Sequence, residues 1–181
     1  MLQVRIPKRE YFDNATQQFV YYPERVLCLE HSLLSISKWE SKWKKPFLSQ
    51  GPTTYEESVD YIRCMTLNTH INSDAYVGMT KEIFDKVREY MDDSMTATWF
   101  SDQKGKSGKK GPVVTSELIY YWMIALNIPI ECQKWHLNRL FALIRICEIK
   151  NAPPQKMKKK DIYARNSALN AARKRKLGTN G

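Results

Sequence analysis

The sequence predicts an α+β fold, mainly helical, in which an N-terminal β ribbon precedes a helical core with a C-terminal helical hairpin and an extended basic C-terminal arm. Three observations point there. Residues 1–30 alternate apolar and polar side chains, and from Ser32 apolar residues recur at three and four. Beyond Pro153-Pro154 the apolar content falls and cations crowd together.

Leu2, Val4 and Ile6 share one strand face, Asp13-Asn14-Ala15-Thr16 supplies a polar turn, and QQFVYY and RVLCLE are β-rich runs around Pro23. Ile36, Trp39 and Trp43 then set both tryptophans on one side of a helix that stops before Pro46. Thr53 and Glu56 form a Thr-x-x-Glu capping box for the next helix, whose stripe is Tyr55, Val59, Ile62 and Met65. Thr80 caps a helix through Met91 that turns Ile83 or Phe84, Val87, and Tyr90 or Met91 inward.

MTATWFSD, residues 95–102, is an apolar connector, and KGKSGKKG, residues 104–111, is a surface loop of glycine and lysine. Thr115 or Ser116 caps a helix to about Asn127, and Pro129 opens a second helix to about Lys150. That second helix has apolar residues on more than one face, which predicts the spine of the core. In the arm, Asp161 caps a helix that reaches Leu177, with Gly178 as its stop.

The chain therefore reads as a domain of residues 1–150 and an arm of residues 151–181. Its 181 residues, 43% hydrophobic, suffice for a core that needs no disulfide or metal. With 29 Lys+Arg and 19 Asp+Glu the net charge is +10, which invites a nucleic-acid or acidic-partner reading. The arm holds nine basic residues and one acid, Asp161, and the loop holds four lysines, so the rest of the domain is slightly acidic. The charge belongs to an arm and a loop, not to the body.

Cys28, Cys64, Cys132 and Cys147 have no Cys-x-x-Cys spacing, and MLQVRIPKRE lacks a secretory apolar stretch. Reduced, mostly buried thiols in a cytosolic product are expected. LIYYWMIALNIPI, residues 118–130, is too short to span a bilayer and is interrupted by Asn127 and Pro129.

Metal binding has one weak signal, Cys132 and His136 four apart on one helix, with no further ligands at matching spacing. No Gly-x-Ser-x-Gly elbow, phosphate loop or His-Glu-x-x-His occurs, so no catalytic residue, metal or cofactor is assigned and the chain reads as a non-enzyme. The hairpin has the outline of a helix-turn-helix, but its second helix offers only Lys134, His136, Asn138 and Arg139 as polar outer residues.

Two interaction sites are expected instead. Trp39 and Trp43, partly exposed on a lysine-rich helix with Lys42 and Lys45, form a candidate partner surface. Arg165, Arg173, Lys174, Arg175 and Lys176 are candidate arm contacts. They dock as a charged amphipathic segment in an acidic groove of a protein partner, neutralise DNA phosphates, or remain a solvated tail.

HSLLSISKWESKWKKPFL (31–48), MTATWFSD (95–102), TSELIYYWMIALNIPIECQKWHLNRLFALIRICEIKN (115–151) and ARNSALNAARKRKLGTNG (164–181) together resemble a group of small proteins of long-tailed bacteriophages. The resemblance implies a tail assembly chaperone, which coats the tape measure protein and recruits tail tube subunits, or a structural component of head, neck or tail. Other phage proteins are then the partners, with homo-oligomers possible and DNA as the alternative contact of the arm. The expected location is the host cytoplasm during assembly, with retention in the virion for the structural version.

Overall fold

The computed structural model describes residues 1–100, 113–153 and 159–178. The lysine-rich loop at 104–111, the end of MTATWFSD, and Lys156 and Lys158 of the arm lie outside the described residues. The chain divides into two units, Met1–Glu148 and Ile149–Gly181. The first is α+β and mainly helical.

Strands β1 (Leu2–Ile6), β2 (Arg9–Asp13), β3 (Gln18–Tyr22) and β4 (Arg25–Leu29) form one long antiparallel ribbon, because β1 pairs with β4 and β2 with β3 in the same register. Extending that register across the gap sets Pro7 opposite Glu24 and Lys8 opposite Pro23. Proline has no N–H to donate, so the ladder stops there and leaves a waist. Asp13 closes the far turn by accepting from the Ala15 amide at 2.9 Å and the Thr16 hydroxyl at 2.8 Å.

The two halves of the ribbon differ in burial. Val4, Ile6, Leu27 and Leu29 are buried in the core, as the alternation predicts. Beside β4 the segment Thr66–Asn68 acts as a third strand: Leu67 donates to the Cys28 carbonyl at 2.8 Å, and Asn68 Oδ1 accepts from the Cys28 amide at 2.6 Å. At the waist Gly78 leaves no room for a side chain, since a Cβ there would come within 2.7 Å of Ile6 Cγ2.

Helix α1 (Leu33–Trp43) is the central element, with Leu33, Ile36 and Trp39 fully buried. It opens on a Ser32/Ser35 capping box and stops at Lys44 in the left-handed conformation, before Pro46 as expected. After the short α2 (Phe47–Gln50), α3 (Tyr55–Met65) packs along α1. The capping box of α3 is Thr54 with Glu57, one residue later than expected: adjacent threonines and adjacent glutamates make two boxes possible, and only Glu57 turns inward. Its inward side chains are accordingly Tyr61, Ile62 and Met65, with Val59 half-buried and Tyr55 exposed.

A 3₁₀ turn, Ser73–Tyr76, leads to α4 (Lys81–Asp92), which buries Ile83, Val87 and Tyr90. Helix α5 (Ser116–Ala125) rests on α1 through Ile119 and Met123. The expected second hairpin helix is split into a 3₁₀ turn, Ile130–Lys134, and α6 (Leu137–Asn151). The break falls where Ser32 bridges His136 and the Leu137 amide donates to the His31 carbonyl at 2.8 Å, a pairing that holds the chain extended at Trp135. Helix α6 buries Leu137, Leu140, Ala142 and Ile144 but exposes Ile149, so the spine of the core is α1. Among the thiols only Cys132 is buried; Cys28, Cys64 and Cys147 are half-buried.

The second unit contains α7 (Lys159–Leu177), a helix ending at Gly178 with φ 67°, the stop expected there.

Candidate interaction surfaces

The expected partner surface on α1 separates into buried and exposed parts. Trp39 is 0% exposed and its Nε1 donates to the Glu57 carbonyl at 3.0 Å, so the expectation that it reaches the surface is corrected. The three- and four-residue spacing put both tryptophans on one side, but that side faces α3 rather than solvent. Trp43 lies at its rim, half-buried, with Nε1 donating to Asp60 Oδ2 at 2.9 Å.

Lys42 and Lys45 are engaged in this seam. Lys42 pairs with Asp60 and lies 5.5 Å from the centre of the Trp43 ring, while Lys45 pairs with Glu57. Glu57 is buried yet ionised: the Lys45 ammonium, the Thr53 and Thr54 amides and the Thr53 hydroxyl hold its carboxyl down at about 2. Outside the seam, Lys42, Trp43, Tyr55, Val59, Asp60 and Arg63 line an open groove of about 400 Å³. Trp43 and the Lys42 stem therefore remain available to a partner.

A third inward acid, Glu40, joins helix ends. Its Oε1 accepts the Phe47 amide and its Oε2 the Ser116 amide, each at 2.8 Å, so one carboxylate sits at the N-termini of α2 and α5. A negative charge is favourable there because first-turn amides have no partner within the helix.

His31 and His136 form a packed polar core. Their rings are 5.2 Å apart, and His31 Nδ1 shares a 2.5 Å hydrogen bond with the Tyr61 hydroxyl. His136 Nδ1 accepts from the Asn138 amide at 3.3 Å, which leaves Nε2 to donate to the Tyr90 carbonyl at 3.0 Å. Burial and the neighbouring His136 push His31 down to about 3. His136 is lowered too, chiefly by burial. The proposed helical pair of Cys132 and His136 does not exist as such, because they lie on opposite sides of the break before α6.

A cluster of exposed aromatic rings lies on the distal ribbon. Phe19 is 69% and Tyr21 61% exposed, with Tyr11 and Phe12 also open. Tyr11 stacks on Tyr22 at 5.7 Å and Phe12 meets Phe19 edge-on at 5.1 Å, so the rings are held by one another rather than by the core. By register, Phe12, Phe19 and Tyr21 share one face. The β-rich run QQFVYY marks β3 in the sequence, but β2 carries no such mark and neither strand shows that the core ends at the waist.

Two further apolar areas were also unmarked in the sequence. Helix α5 is apolar on nearly every side and still leaves Tyr121 and Ile124 in solvent. Trp99 is 94% exposed, whereas its neighbour Phe100 lies 4.2 Å from the Arg145 guanidinium on α6.

On α7, Arg165, Arg173, Lys174, Arg175 and Lys176 are all exposed. The helix has no amphipathic face, which corrects the expectation of a charged amphipathic segment. No helix among the described residues is long and apolar enough to cross a membrane. No family model, no curated protein and no solved structure matches this chain.

Proposed function

We propose that this protein is a non-enzymatic morphogenesis protein of a tailed phage, acting by docking on other proteins of the particle. Its role is that of a tail assembly chaperone or of a structural component in head, neck or tail. The observation that carries this reading is the distal ribbon, where four aromatic rings stand in solvent on a two-stranded element.

A lone hairpin is marginal in water, and large exposed apolar patches mark protein contacts. Added to these are the outer face of α5 and the groove beside Trp43. The histidines, whose Nδ1 atoms and His136 Nε2 are taken up by internal hydrogen bonds, support a structural rather than a catalytic use. The phage setting rests on the sequence resemblance.

Mass spectrometry of purified virions from the phage that encodes the chain separates the versions. Stoichiometric copies in the particle favour the structural component. Absence from the particle with co-purification of the tape measure protein from lysates favours the chaperone. If the chain is expressed and is found neither in the particle nor with the tape measure protein, the proposal is overturned.

A further inference from the structure

We infer that α7 is a nucleic-acid-binding helix that lies along duplex DNA. The inference is independent of the docking surfaces on the body. Its first ground is what α7 lacks. Helices that dock in protein grooves present apolar anchors at spacings of three, four and seven. The side of α7 that carries Tyr163, Leu169 and Leu177 also carries Asn166, Asn170 and Arg173, so these large apolar residues form no continuous stripe among the described side chains. Every side chain of α7 that the structure describes is exposed.

The second ground is the placement of charge. By sequence α7 carries seven cations, Lys159, Lys160, Arg165, Arg173, Lys174, Arg175 and Lys176, and a single acid, Asp161. Four consecutive cations at about 100° per residue wrap a whole turn, so positive charge points to every side of the axis. An acidic groove on a protein offers one charged wall. The major groove of DNA, about 12 Å wide, offers phosphates on both sides of an inserted helix. A polyanion that surrounds the helix fits this distribution.

The third ground is the middle of the helix. Ala164, Ala168, Ala171 and Ala172 share one side and are small enough for close approach to a phosphate backbone, and Asn166 and Asn170, four apart, share the opposite side. Asparagine hydrogen-bonds base edges without bringing a further charge. The 19 residues span roughly 28 Å. Backbone contacts dominate this arrangement, so affinity should be strong at low salt and weakly dependent on sequence.

The test is fluorescence anisotropy of the full chain with labelled duplex DNA across a salt series. Four to five phosphate contacts predict a slope of log affinity against log salt near about −4, and a loss of roughly 10²-fold between about 50 and 200 mM. The variant R165Q/R173Q/K174Q/R175Q/K176Q should lose most of this binding and most of the slope. The charge-preserving R165K/R173K/R175K should keep both, which separates charge from helix integrity. Absence of binding at about 50 mM salt, or binding and slope unchanged in the glutamine variant, would overturn the inference. Poly-glutamate at equal charge displacing the chain as well as unlabelled DNA does would also overturn it, in favour of an acidic protein groove.

Discussion

Glu40 accepts a hydrogen bond from the backbone amide of Ser116, a residue 76 positions further along the chain, at 2.8 Å. Its other oxygen holds Phe47, so α1 carries one carboxylate that fixes the start of two other helices. The contact is buried, so removing the carboxylate leaves two amides without the acceptor they are built around.

Glu40→Ala should therefore destabilise the protein by about 2–4 kcal/mol, with Glu40→Gln losing less because one acceptor remains. Thermal unfolding reads this as a fall of several degrees for the alanine variant. Hydrogen exchange should quicken at the first turns of α2 and α5 and stay unchanged in the ribbon.

The seam between α1 and α3 predicts a contrast between the two tryptophans. Trp39→Ala empties a fully buried site and should cost about 3–5 kcal/mol. Trp43→Phe loses the Asp60 bond at a half-buried rim and should cost about 1 kcal/mol. Denaturant midpoints measure both, and equal costs would contradict the division of this surface.

The histidine core predicts acid sensitivity. His31 is held down to about 3 in the fold against 6.5 when exposed, so the unfolded chain takes up a proton first. The stability tied to its neutral form is complete above pH 6.5 and falls as pH drops towards 3, by up to about 1.4 kcal/mol per unit. His31→Phe should flatten the stability slope between about pH 6.5 and 5, with a remainder from His136. Below pH 4.5 Glu57, held at about 2, adds its own loss through protonation.

Gly78 predicts a local effect at the waist of the ribbon. Gly78→Ala drives a methyl to within 2.7 Å of Ile6 Cγ2, so Ile6 must move out of its core position. A cost of about 1–3 kcal/mol is expected in chemical unfolding.

Much of the fold was legible because it is local. The alternation at Leu2, Val4 and Ile6, the polar turn at Asp13 and the stop before Pro46 are each set within a few residues, and the ribbon and α1 follow from them. The split before α6 was not legible, since it depends on His31 and Ser32 pairing with a segment a hundred residues away. The site was half legible. Tryptophans among lysines read as a surface, but the acids that pair with Lys42 and Lys45, Asp60 and Glu57, lie on another helix. The exposure of Phe19 and Tyr21 depends on where the core stops, which no strand pattern encodes.

The central claim is that the exposed distal ribbon serves assembly rather than folding. If the proposed phage role holds, the most direct test of this claim is complementation of a phage lacking this gene with the variant F12S/F19S/Y21S, with thermal unfolding of the purified variant as the control. These side chains lie outside the core, so the melting temperature should shift by only a few degrees while the yield of infectious particles collapses. A folded variant that restores full particle yield would contradict the account.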